Sequence, residues 1–198
     1  LSLHDALPIY FMIESVSSEL TKFMYNWKAR GVPKEITHEA KRLFLNQLKA
    51  SVGATKTDAI KILNEQTKEN ENLEKSAKII WLGRQTDLES AAIVNGALFE
   101  VLDFHDTYIP CYMHATSAVL PALMAVAEQR EYSGFNFLES LALGIEVELA
   151  IASILMPTAY FRGYVPAGLT GSVGAAAACS ILTDIGPEKT QNAISIAM

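Results

Sequence analysis

Ser117-Ala118-Val119-Leu120-Pro121-Ala122-Leu123-Met124-Ala125-Val126-Ala127-Glu128 runs with almost no polar side chain inside it. A surface helix keeps one polar face, so a helix that is apolar nearly all round reads as buried. Two more stretches share this character. Asn136 to Met156 is one, followed by a break from Pro157 to Pro166. Gly168 to Leu182 is the other, and its Gly and Ala content lets neighbouring backbones approach closely. Buried helices need other helices around them, and the preceding sequence supplies these. Ser15 and Ser18 are candidate N-caps for a helix bearing Val16, Leu20, Phe23, Met24 and Trp27, which Gly31 ends. Pro33 suits a first helical position, and Ile36, Ala40, Leu43, Phe44, Leu48 and Val52 continue an apolar face to Gly53. A third helix spans about Asp58 to Thr67, and Lys68-Glu69-Asn70-Glu71-Asn72 reads as a loop. Ile79-Ile80-Trp81-Leu82 is a short extended piece before Gly83. Thr86 then caps a helix with Glu89 at the capping-box position. There are no repeats, heptads or runs of strands. The expected fold class is all-α, a helical bundle with buried central helices.

Composition narrows the function classes. Of 198 residues, 50% are hydrophobic and 19% charged, which excludes a disordered chain. The net charge of −6 argues against nucleic-acid binding. Glu, Gly or Pro interrupts the longest apolar stretches, so no membrane-spanning segment is expected. Cys111 and Cys179 follow no metal or redox spacing and read as reduced, buried thiols of a cytoplasmic protein. The charge is uneven. Residues 1–99 carry 13 Lys/Arg and 12 Asp/Glu, whereas residues 100–198 carry three and ten, a net of −7. The second half therefore reads as the interior of something larger, or as a surface that another chain covers.

Both ends look unnatural. Residues 1–11, beginning Leu1-Ser2-Leu3-His4-Asp5-Ala6-Leu7-Pro8-Ile9, resemble the translation of a sequencing adapter, with Met12 as the expected native start. The chain stops at Ala193-Ile194-Ser195-Ile196-Ala197-Met198 without a helix stop signal, as a truncated N-terminal piece would. Residues 12–198 are thus expected to form one domain.

Polar residues concentrate in Asp103-Phe104-His105-Asp106-Thr107 and, after a loop from Tyr108 to Ala115, in His114. Read as the end of the preceding helix, Asp103 and Thr107 lie four apart on one face, while His105 and Asp106 point elsewhere. The loop is short enough to fold His114 back over that face. A carboxylate, a hydroxyl and an imidazole converging there suit proton transfer at a carbon acid. The apolar run from Val119 to Met124 would shield the site from water. The structural alternative is local backbone hydrogen bonding by Asp106 and Thr107. Asp103, His105, Asp106 and His114 are also metal-ligand types, but no paired-histidine spacing accompanies them, and no metal is expected. Gly168, Gly171 and Gly174 lack the strand and Lys-Ser/Thr of a phosphate loop, so Gly171-Ser172-Val173-Gly174 reads as helix packing. No Gly-x-Ser-x-Gly elbow occurs.

Several motifs, taken in order, carry a resemblance. Ala91-Ala92-Ile93-Val94-Asn95-Gly96 leads to the Asp103–Thr107 stretch. His114-Ala115-Thr116-Ser117-Ala118-Val119-Leu120-Pro121-Ala122, Gly144-Ile145-Glu146-Val147, Arg162-Gly163-Tyr164 and Gly174-Ala175-Ala176-Ala177 follow. From about residue 15 onward the chain resembles the N-terminal helical domain of the MmgE/PrpD family. That family includes 2-methylcitrate dehydratase, cis-aconitate decarboxylase and iminodisuccinate epimerase. The resemblance implies a cofactor-independent lyase or isomerase acting on a small di- or tricarboxylate. It also implies a homodimer and a smaller α/β lid domain that is absent here, to which the composition adds the expectation of a cytoplasmic protein with no nucleic-acid or membrane partner.

Asp103, Thr107 and His114 match the family's active-site residues. His114 would handle the proton, Asp103 and Thr107 would orient it or bind a carboxylate, and Arg162 would contact substrate. Two positions depart from the family pattern. His105 stands where an Asp is usual, at a position expected to face away. Val165 stands where a second histidine is usual, and valine can neither transfer a proton nor donate a hydrogen bond. This favours a divergent subfamily. The family's substrate-binding lysines and tyrosine fall beyond Met198, so the chain alone is expected to be inactive. Two alternatives remain: a non-catalytic polycarboxylate-binding homologue, and a metal-dependent enzyme using Asp103, His105 and His114.

Overall fold

The computed structural model describes residues 15–67 and 75–198. Residues 1–11, Met12 and the loop expected at 68–72 lie outside the described residues. Among the described residues nine α-helices follow in order: α1 (Val16–Arg30), α2 (Lys34–Ala54), α3 (Asp58–Gln66), α4 (Leu88–Glu100), α5 (Ala115–Ala127), α6 (Gly134–Leu155), α7 (Thr158–Phe161), α8 (Pro166–Thr183) and α9 (Pro187–Ala197). The all-α expectation is borne out.

Helix ends follow local chemistry. The Ser15 hydroxyl accepts from the Ser18 amide, and Gly31 (φ +78°) stops α1 in a conformation open to glycine. Ser133 caps α6 in the same way through the Asn136 amide. One expected cap moves by a residue. Asp87, not Thr86, caps α4, its carboxylate accepting from the Ser90 amide at 2.8 Å. Thr86 is instead the buried last residue of a strand. The extended piece expected at 79–82 is likewise a small hairpin. Strand β1 (Ala77–Ile79) pairs antiparallel with β2 (Arg84–Thr86), and residues 80–83 make the turn, with Trp81 and Gly83 at positive φ. Asn95 of α4 holds this hairpin, accepting from Ile80 N–H at 3.0 Å and donating to the Lys78 carbonyl at 2.9 Å.

α6 and α8 form the centre, and α5 lies against both. α4 packs on α5, α2 spans α4 and α6, and α9 joins α8 to α1. One apolar cluster gathers Phe99, Met113, Leu120, Leu123 and Leu141, and a second gathers Met24, Leu143, Val147, Val173 and Ile181. The three stretches that read as buried are the central helices. The expected inner faces of the first two helices hold less well. Val16, Ile36 and Val52 are exposed, while Ser17, Thr21 and Gln47 are buried, because small or hydrogen-bonded side chains face the core there.

The glycines of α6 and α8 set the spacing at the centre. A Cβ at Gly144 would lie 2.6 Å from Ala178 Cβ and 2.8 Å from the Gly174 carbonyl. One at Gly171 would lie 2.7 Å from Ala118 Cβ. Helix packing is thus the role of Gly171 and Gly174. Among the described helices α8 alone is long and apolar enough to cross a membrane, yet 56% of that window is buried inside the bundle, as for a core helix. Both cysteines are free thiols. Cys111 is buried, and burial pushes the Cys179 thiol up to about 12.

Candidate active site

The polar stretch after α4 does not continue the helix. α4 ends at Glu100, Val101 caps it, and the Asp103 amide donates to the Glu100 carbonyl at 2.9 Å. Asp103 itself turns the chain with φ +50°, a conformation that Asp tolerates better than most residues. The expected single helix face for Asp103 and Thr107 is therefore corrected: both belong to an irregular segment. Its far side is tied down. Ile109–Cys111 forms a short 3₁₀ turn, and Tyr108 and Met113 exchange backbone hydrogen bonds at 2.8 and 3.2 Å. Met113 is wholly buried, which pins the loop to the core.

The loop does fold His114 back. His114 Nδ1 lies 2.8 Å from the Asp106 carbonyl oxygen and 3.3 Å from Thr107 Oγ1. A carbonyl oxygen can only accept, so Nδ1 carries the hydrogen and the neutral ring keeps its lone pair on Nε2. The Thr107 hydroxyl shares that N–H as a second acceptor, leaving its own hydrogen for a ligand oxygen. Asp103 joins the group: one of its carboxylate oxygens and one nitrogen each of His105 and His114 lie within 4.8 Å of one another.

His105 does not face away, because no helix separates the side chains of residues 103–107. Its ring packs against His114 with centroids 4.0 Å apart, and its Nε2 lies 3.3 Å from a Glu100 carboxylate oxygen. Asp103, Thr107 and His114 are thus brought together with His105. Arg162 is exposed after α7, in a segment joined to the loop by stacked Tyr112 and Tyr160 rings, 4.9 Å between centroids. Val165 is exposed at the start of α8.

Three contributions have no local sequence signal. Gln47 of α2, fully buried, donates from Nε2 to Asp106 Oδ1 at 2.8 Å. Arg42 and Lys49 of α2, with His105 and Asp106, line an open groove of about 540 Å³, and the Lys49 ammonium lies 4.7 Å from the Phe104 ring centroid. Glu148 of α6 is wholly buried against α8, with Oε1 3.5 Å from Thr170 Oγ1 and Oε2 unpartnered. Burial, with a smaller push from the Asp106 charge, raises its carboxyl to about 8. Each partner is distant in the chain, so no spacing rule points to it.

The fold and site define an all-α domain carrying a histidine-centred cluster on a loop between two core helices. Residues 18–198 match the MmgE/PrpD N-terminal domain, and the chain belongs to the MmgE/PrpD family. Among curated relatives it is similar to a cis-aconitate decarboxylase-like protein, oryM, of Aspergillus oryzae, with 27% identity over 92% of this chain and 39% of that protein. It is similar to human cis-aconitate decarboxylase at 27% identity, over 94% of the chain and 40% of that protein. The mouse cis-aconitate decarboxylase is 26% identical over 94% and 39%. The chain therefore spans about two-fifths of the length of these relatives.

Proposed function

We propose that this chain supplies the helical part of a cofactor-independent lyase acting on a small di- or tricarboxylate, with His114 moving the proton. The observation that carries this reading is the His114 ring, held through Nδ1 by the Asp106 carbonyl at 2.8 Å so that Nε2 is the free base. In a dehydration, Nε2 takes the proton next to a carboxylate, the neighbouring carbon–oxygen bond breaks, and the protonated ring gives that proton to the departing hydroxyl, which leaves as water. In a decarboxylation, Nε2 first takes a proton from solvent and then gives it to the carbon left by carbon dioxide. Thr107 and Asp103 orient the ring or meet substrate oxygens. Arg162 would have to reach inward to meet a carboxylate. The relatives' names make cis-aconitate the first substrate to test, and the family resemblance adds 2-methylcitrate.

The full-length gene product should turn over one of these acids in the presence of EDTA. His114→Ala should lower kcat by about 10²–10⁴-fold, the usual contribution of a positioned acid or base. Turnover that survives His114→Ala overturns the assignment. Val165 supports a second reading, a binding protein that has lost its chemistry. That reading requires binding of a polycarboxylate with no turnover across a panel.

A further inference from the structure

His105 is the least explained side chain near the site. Its side chain is 1% exposed, and neither ring nitrogen has a hydrogen-bond partner. The Glu100 oxygen 3.3 Å from Nε2 is not aligned to accept. Yet one His105 nitrogen, one His114 nitrogen and one Asp103 oxygen sit within 4.8 Å of one another. We propose that Asp103, His105 and His114 bind one borderline divalent transition-metal ion, Zn²⁺ foremost, and that the bound ion blocks the proton chemistry of His114.

The donor set carries the ion class. Two imidazoles and one carboxylate suit first-row ions such as Zn²⁺ and Co²⁺ rather than Mg²⁺ or Ca²⁺, which prefer all-oxygen cages. His114 already has the arrangement that metal-binding histidines adopt: its Nδ1–H is held by a backbone carbonyl, which aims Nε2 outward. His105 can do likewise by turning its Nε2–H to Glu100, which frees Nδ1. Bonds of about 2.0–2.2 Å put tetrahedral ligand atoms about 3.3–3.6 Å apart, so the widest pair of the cluster must close by up to about 1.5 Å. The exposed Asp103 side chain has the freedom to close that gap. A fourth position stays open to water. His114 has one lone pair on Nε2, and an ion that takes it removes the base. The ion is therefore an inhibitor, the opposite sign to a metal-dependent enzyme. The blocking, but not the binding, rests on the role proposed for His114.

The test titrates Co²⁺ into the chelator-treated, full-length gene product and follows ligand-field absorption in the visible. The expected result is one equivalent bound, displaced by Zn²⁺ and not by Mg²⁺. His105→Asn and Asp103→Asn, each checked for native melting, should weaken the ion at least about tenfold. Exposed His38→Asn should leave binding unchanged. Saturating Zn²⁺ should lower turnover at least tenfold and EDTA should restore it. In His105→Asn the inhibition midpoint, scaled to that variant's own metal-free rate, should rise in step with the lost affinity. Absent Co²⁺ absorption, binding indifferent to both His105 and Asp103, or turnover that rises with Zn²⁺ overturns the proposal. If the metal-free protein turns over no acid, the catalytic reading fails, and the Co²⁺ titration still decides the site.

Discussion

Gln47 shows how one side chain sets the geometry of a loop it does not belong to. Its Nε2 holds the Asp106 carboxylate, and the Asp106 carbonyl in turn holds His114. Its own Oε1 is buried without a partner, a state that costs free energy. Gln47→Leu removes both the good bond and the orphan oxygen, and half-buried Asp106 can turn to water. Stability by urea denaturation should therefore change by no more than about 1 kcal/mol. Turnover of the full-length protein should nonetheless fall, because the carbonyl that orients His114 is no longer anchored. Equal turnover in wild type and variant would show that the loop positions itself. At this scale the grouping of Asp103, Thr107 and His114 is legible from residue types and proximity in the chain. Gln47 is not, since its partner lies 59 residues away and nothing local marks it.

At the scale of elements, α6 and α8 approach one another closely. An added Cβ at Gly174 would lie 2.8 Å from Glu148 Cβ and 2.9 Å from Val119 Cγ2, both fully buried neighbours. Alanine is the better helix former by about 1 kcal/mol, but overpacking a filled core costs about 1–3 kcal/mol or more, and the clash should win. Gly174→Ala should lower the melting temperature, with a net loss on the order of 2 kcal/mol. A melt at or above wild type would mean that the two helices can separate freely. Most helix ends could be read from Ser15, Gly31 and similar caps. The end of α4 could not, because apolar spacing continues through Leu102 and no Gly or Pro marks the stop. Asp103 itself takes the left-handed turn. The hairpin has no sequence signature for a different reason: strands of three residues are too short to show alternation.

For the whole molecule, the charge-poor second half contains the core helices, and cations reach the site from the first half through Arg42 and Lys49 of α2. Glu148 is the exception within that core, and it ties stability to pH. The unfolded chain gives up this proton near 4.5 and the folded chain near 8. Over that interval the folded state keeps a proton that the unfolded state has lost. Stability should fall as pH rises through it, by at most about 1.4 kcal/mol per pH unit. Glu148→Gln keeps the shape without the charge and should flatten the profile, with its gain largest near pH 8. Denaturation curves at pH 5 and pH 8 for both proteins check this. Parallel profiles would assign the pH dependence to other groups.

The loop from Asp103 to His114 closes on itself through the Tyr108–Met113 pair and is rooted by buried Met113. Its conformational entropy is thus surrendered when the chain folds, not when a ligand arrives. A small anion meeting this loop finds His114 already oriented, so less of its binding free energy goes into ordering the receptor and more remains as affinity.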